Sequence, residues 1–581
     1  LQAANSYAGP TLIRGALVQA QHADALGNPS QAVDVWDGGL ELFHSIDNAI
    51  NVNTFGEVVL INTQWNNAIT LQGGRLVTHA NAGGDVMIDG PIDLIGGGWF
   101  RTEQQTRIGS SISGDAALFL HADRKALHLD APIASRGPIH VLGNHTTFFH
   151  QANAFVNDIE VRGGNLSLMS DNWFRSLRIL DGGSLTIAAG NTLQLNDSEL
   201  TVQSGSLDVQ GQLAQLSHIR KIGLDHFTID GVGVHQDAGL IVESGWLEAG
   251  HTSALGPGSG QIHIVERDTA NFALRGSTTV ERDVYLHNAR GAAMYGALRQ
   301  VDAGTADLTG DVYLGDQGAF IAAHDLFNLQ GAIHGGSLHM RSRNQAFTLR
   351  LLGDGHTYTG DTNLWHGILE LNDGGRVIHT PAIHVHGGGT LRLDNQTDPL
   401  TDRIDDAIAI HLHGGELNVR GGTEAIGLLS IGFGQATVRP EDSSLTLGEI
   451  TRPGKGTVRF AELASNGDGT GTVLISNPPT LSEGMIGAWA VVGPDGSDIG
   501  RRFAGYHPTD GVVPISLFNK YPQCRGGERT RPPRRHPSVR HDVGSHDPLA
   551  ADRRRQRRFE YRNDRPQRPP PDDQLRRPTG Q

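Results

Sequence analysis

A short phrase returns along this chain at intervals close to twenty residues: a small pair ending in glycine, one variable residue, leucine, and often a polar and then an aliphatic residue. It stands at Gly163-Gly164-Asn165-Leu166-Ser167-Leu168, Gly182-Gly183-Ser184-Leu185-Thr186-Ile187 and Ser204-Gly205-Ser206-Leu207-Asp208-Val209. It returns at Ser244-Gly245-Trp246-Leu247, Gly335-Gly336-Ser337-Leu338, Gly388-Gly389-Thr390-Leu391-Arg392-Leu393 and Gly414-Gly415-Glu416-Leu417-Asn418-Val419. Gly164 to Gly183 is 19 residues, Gly183 to Gly205 is 22, and Gly205 to Gly245 is 40, or two steps of 20. Apolar residues alternating with polar ones make a half-buried strand, and glycine supplies the positive φ of the turns between strands. No single unit of this size buries its own apolar face, but stacked units share one core. The spacing therefore predicts an all-β solenoid.

The stretch Leu326–Leu393 holds the longest form of the phrase. Tyr358-Thr359-Gly360-Asp361-Thr362-Asn363-Leu364 is followed by Gly367-Ile368-Leu369, and near the start Tyr7-Ala8-Gly9-Pro10-Thr11-Leu12-Ile13 is followed by Gly15-Ala16-Leu17. With its lead-in Leu329-x-Gly331-x-Ile333-x-x-Gly336-x-Leu338, the phrase resembles the autotransporter-associated β-strand repeat. The likeness is close over residues 326–372, shorter over 5–18, and one of rhythm between them. It implies a right-handed parallel β-helix of the passenger type, from an exported or cell-surface bacterial protein, and says little about biological role. The stretch Ile486–Pro514 resembles a segment that often follows such repeats.

Composition narrows the classes. The 77 glycines among 581 residues follow no Gly-x-y period, which excludes collagen, and one cysteine, Cys524, excludes an internal disulfide. No apolar run is long enough for a membrane-spanning helix. The chain opens on Leu1 without a signal peptide, so a fragment is expected, its signal and anchor lying elsewhere. Residues 1–515 read as one β-helix, clearest over 5–18, 160–250 and 326–420; Asp402–Ile410 reads as a short helix or a loop inserted at a turn. Twenty-odd rungs would make a rod on the order of 100 Å long.

Residues 516–581 break the pattern. From 521 on they hold sixteen Arg, eight acids and ten of the 25 prolines, a segment expected to be disordered. Four Lys against 43 Arg in the whole chain suggest a GC-rich gene, and the tail reads as the product of a shifted frame. A genuine basic or proline-rich tail is the alternative. The net charge of −15 divides into about +8 on the tail and −23 on the body, so no nucleic-acid partner is expected.

Candidate chemistry is sparse. His384 and His386, and His411 and His413, each project from one strand face, and 27 residues between the pairs could place four imidazoles together for Zn²⁺ or Cu²⁺. The plainer reading has them as outward positions alternating with inward Ile383, Val385 and Leu412. Asp402, Asp405 and Asp406 with Arg403, or Asp354 and Asp361, are carboxylates for a polysaccharide lyase or glycosidase, without a signature around them. Trp36, Trp65, Trp99, Trp173, Trp246, Trp365 and Trp489 are dispersed; an aromatic ladder could stack on sugars, with Trp246 and Trp365 beside turn glycines. The expectation is a non-catalytic structural or adhesive segment on the cell surface. It has no catalytic, cofactor-binding or metal-ligating residues assigned, no cofactor, and surface glycans or other cells as partners. A glycan-binding module and a carbohydrate-active enzyme are the rivals.

Overall fold

The computed structural model describes residues 1–515 except 62, 80–84, 155–156, 232–236, 252–253, 256–257, 266–267, 292–295, 342–346, 468 and 495–500. The tail 516–581, with its expected disorder and frame shift, lies outside the described residues.

Among the described residues there are strands and turns and no α-helix. Asp402–Ile410 is a loop as far as Ile408, after which the strand Ala409–His413 begins. Alternation in sequence becomes alternation in space: Ile139–Gly143 buries Ile139 and Val141 and turns His140 outward. Each inward position pairs with its equivalent one coil on, Leu118 with Ile139, Ile139 with Ile159, and Ile159 with Leu177.

Three faces build a full coil. The first runs from Thr11–Ile13 to Ile133–Ser135, continues from Asn153–Ala154 to Gln212–Ala214, and resumes from Thr279–Val280 to Ala490–Val492. The second runs from Leu17–Ala20 to Ile333–Gly335, and the third from Gln64–Trp65 to Thr472–Asn477. Beyond Gly335 the coils carry described strands on the first and third faces only, up to the closing hairpin. The pairing is parallel throughout these ladders, so the chain forms a parallel β-helix. Arg502–His507 then folds back antiparallel onto Ala490–Val492, and Gly511–Pro514 antiparallel onto Arg502–His507. The Tyr506 hydroxyl donates to the Ile475 carbonyl at 2.7 Å. This hairpin occupies a backbone edge that would otherwise stand open to pairing.

The glycine spacing is the coil length where it was clearest: Leu166 pairs with Leu185, and Leu185 with Leu207. The two steps of 20 up to Gly245 need correcting. Leu207 pairs with Ile229 and Ile229 with Ala249, two residues past Leu247. A slip of two keeps every side chain on its own face, so the apolar pattern survives it. One contiguous core extends from Ile13 to Val512. The Tyr-x-x-x-Thr of the long phrase has a local cause as well. The hydroxyl of buried Tyr358 meets Thr362 Oγ1 at 2.7 Å, and Tyr7 and Thr11 repeat the contact. Gly367 of the same phrase has φ +80°, and a Cβ there would meet the Phe347 ring at 2.2 Å.

Candidate binding surface

With inward positions filled by the core, chemistry on this fold has to come from the outward columns. On the second face one column carries Trp99, Phe119 and His140 on successive coils, with centroids 4.2 and 4.7 Å apart. The same column later carries His263, Tyr285, Tyr313 and His334, spaced 4.8, 4.4 and 4.9 Å. Ion pairs lie between the two stacks, Glu160 against Arg178 and Arg220 against Glu199 and Glu243. Rings stacked along the coil axis spend their faces on one another and present only edges to water. These stacks hold neighbouring coils in register, and their inner rings Phe119, Tyr285 and Tyr313, covered on both faces, leave no flat plate for a sugar.

The histidine pairs do fall on adjacent coils. His384 pairs with His411, and His386 with His413. Their rings lie as near-parallel plates, 4.8 Å apart at 11° and 5.2 Å apart at 22°. A bound metal needs lone pairs converging at about 2 Å, whereas parallel plates set their nitrogens side by side. Among the described residues no group of three or more His, Cys, Asp or Glu is arranged to hold a metal ion. Ile383, Val385 and Leu412 point inward as the plainer reading has them. Trp365 closes the end of the stack, its ring 3.8 Å from that of His386. Burial, then repulsion from His413 and His384, pushes His386 down to about 4. Burial also lowers His411 and His413.

The carboxylate candidates are not assembled. Asp402 pairs with Arg376 at 3.4 Å, and the Asp405 carboxylate accepts from the Ala407 amide. Asp361 lies 3.8 Å from His384, while Asp354 stands in an exposed turn. Arg403, offered as their basic partner, is fully buried. It donates to Asn395 Oδ1 at 2.5 Å and to the carbonyls of Asp373, Gly375 and Asp398. Beside it Glu424 is buried too and accepts from the Arg403 amide at 3.0 Å; burial pushes its carboxyl up to about 7. Lys221 is likewise interior, giving its ammonium to the carbonyls of Ile222, Gly223 and Ser244. Sequence reasoning missed the interior roles of Lys221, Arg403 and Glu424, because nothing in composition marks a charge as facing inward.

Two hollows open side by side in sequence. The first, about 340 Å³, is lined by Asp158, Glu160, Arg175, Arg178, Asp197 and Glu199 among others. Its acids are largely engaged: Asp158 pairs with Arg175, Glu160 with Arg162 and Arg178, and Glu199 with Arg220. Burial raises the Asp158 carboxyl, but hydrogen bonds from Ser176 and Arg175 outweigh it and hold the group below its ordinary value. A general acid needs the opposite shift. The second hollow, about 320 Å³, surrounds Trp173 on the first face, with Asp171, Asn172, Thr192 and Gln194.

The tryptophans differ sharply in what covers them. Trp65 is buried, Trp99 and Trp365 lie on other rings, and guanidinium groups of Arg14, Arg299 and Arg452 sit over Trp36, Trp246 and Trp489. Trp246 and Trp365, singled out for sugar contact, thus each have a ring face occupied. Trp173 is 44% exposed and steadied at its edge, its Nε1–H donating to Asn196 Oδ1 at 2.7 Å.

No family model matches the chain, and no solved structure matches it. Among curated proteins, 319 residues (54% of this chain) are 26% identical to the adhesin BmaC autotransporter of Brucella suis biovar 1 (strain 1330). The chain spans only 8% of that protein's length. Taken with the parallel coils and their shared core, this similarity fits an autotransporter passenger-type β-helix.

Proposed function

We propose that this chain is a non-catalytic, adhesive stretch of an exported bacterial surface protein, displayed at the cell surface or outer membrane and meeting its partners through the sides of the coils. The observation that carries this reading is that its outward groups are committed to one another coil after coil. Rings stack on rings and carboxylates sit on guanidinium groups, as in Arg350, Glu370 and Arg392. Such a surface is laterally extended, and in its charged hollow the Asp158 carboxyl is held below its ordinary value by Ser176 and Arg175 rather than poised to give up a proton. The distant adhesin and the negative body agree with display outside the cell. A passive glycan-binding role is the second reading, favoured by the hollow at Trp173.

The test immobilises the full chain on beads and measures attachment to epithelial and bacterial cells against bare beads, alongside a reducing-end assay on a polysaccharide panel. Attachment above background without sugar release is expected. Release of reducing ends that scales with the amount of chain would make the protein an enzyme and sink the proposal.

A further inference from the structure

Trp173 sits at the middle of the strand Asn172–Phe174, whose neighbours Asn172 and Phe174 point inward. Asn172 belongs to an internal polar row, accepting from Asn153 Nδ2 at 3.0 Å and donating to the Ser170 carbonyl at 2.7 Å. The strand is thereby pinned from below, while the Asn196 contact pins the indole from the side. In register, Trp173 pairs with Ala154 on one coil and Gln194 on the next. No ring and no guanidinium lies over it among the described residues, unlike the stacked or cation-covered tryptophans elsewhere in the chain.

The polar groups around the indole are also unspent. The Thr192 hydroxyl and the Gln194 amide, both half-buried, make no hydrogen bond to described protein atoms. Asp171 gives one oxygen to the Thr192 amide at 2.7 Å, leaving the other open. A fixed flat apolar plate beside a hydroxyl, an amide and a carboxylate oxygen suits a ligand with one apolar face and a rim of hydroxyl groups. A pyranose ring has that anatomy. The open carboxylate and the negative body repel an acidic sugar, so the fit is to a neutral hexose.

We propose that the Trp173 hollow is a binding subsite for a neutral hexose unit of a surface glycan. Trp173 supplies the stacking plate, Gln194 and Thr192 supply hydrogen bonds, and Asp171 accepts from a sugar hydroxyl. This rests on reading the chain as a binding surface, and it narrows that reading to one place.

The full chain is probed on an array of neutral gluco-, galacto- and manno-oligosaccharides printed beside sialylated and uronic-acid glycans. Binding to at least one neutral class is expected. Trp173→Ala should weaken it at least about tenfold, Gln194→Ala should weaken it less, and Trp36→Ala, which removes an equally exposed indole that a guanidinium covers, should leave it unchanged. The Trp173 variant should keep the wild-type far-ultraviolet spectrum and melting curve, because the side chain lies outside the core. Neutral-glycan binding unaltered in both Trp173→Ala and Gln194→Ala overturns the subsite, as does a preference for acidic glycans. If cells attach to the chain but no neutral glycan is bound, the subsite fails and the adhesive reading stands. If glycans bind through Trp173 but no cell attaches, the adhesive reading fails and the subsite stands.

Discussion

A guanidinium shut away from water must find acceptors, and Arg403 finds them in Asn395 and the Asp398 carbonyl of its own loop and in the Asp373 and Gly375 carbonyls of the turn after Gly367–Leu371. Arg403→Met keeps the bulk and orphans those acceptors, for a cost of about 3 kcal/mol. The loss is local, so it should be read as faster hydrogen exchange and a new protease cut within 395–408, and an unchanged exchange map would refute it. Glu424, packed beside this loop, has the opposite pH logic from most carboxyls. Its folded pKa of about 7 lies above its ordinary value, so the fold holds a proton that the unfolded chain releases. Its contribution to stability is therefore complete below about pH 4.5 and is lost as pH rises to about 7, a swing of roughly 3 kcal/mol. Glu424→Gln should flatten that decline in local opening energy between pH 5 and 8. Parallel profiles for the variant and the wild type would show that the carboxyl is ionised in the fold.

Strands on this molecule gain from having the right neighbour one coil away, and the third face shows how conditional that gain is. Ala382–His386 and Ala409–His413 set imidazoles over imidazoles, a favourable arrangement only while the rings are neutral. His386 has a folded pKa below its unfolded one, so its contribution is present above about pH 6.5 and drains away as pH falls toward 4. Hydrogen exchange in these two strands, corrected for intrinsic rates, should accelerate between pH 6.5 and 4.5 more than in Leu166-containing strands of the same face. His386→Phe keeps a ring against Trp365 and cannot be protonated, and it should remove a large part of that excess. If wild type and variant respond alike to acid, the histidine stack is not what weakens. The column Arg350, Glu370, Arg392 carries no such sensitivity in this range, since opposite charges alternate and Glu370 is held below its ordinary value. Burial opposes that ionisation, and Asn372 with the two arginines overcomes it.

At the scale of the molecule each coil touches chiefly the coils before and after it, so stability is a sum of near-neighbour terms. Deleting residues 166–184 removes one coil and rejoins Asn165 to Leu185, the successor of its own partner Ser184. This variant should keep the strand spectrum and resist trypsin as the parent does. Deleting 166–175 instead splices a third-face strand onto a second-face one and should leave the flanking coils open to protease; equal resistance of the two deletions would contradict independent stacking. What was legible in the sequence follows from this one-dimensional order. The glycine phrase, the alternation and the coil length are local properties, and they led to an all-β solenoid with Leu166, Leu185 and Leu207 in line, which the resemblance to the autotransporter-associated repeat made a parallel β-helix. The slip of two residues at Ala249, the closing antiparallel hairpin and the loss of second-face strands after Gly335 depend on how one coil settles on another, which no single repeat contains. The surface was the least legible part. Whether a ring is covered, a carboxylate paired or an arginine buried depends on which residue lands next to it about twenty positions away. Sequence alone therefore determined the scaffold and its inward faces, because burying leucine and valine needs only a period. Only the tertiary structure decided that six tryptophans are occupied and Trp173 is open, because that turns on a single neighbour in space.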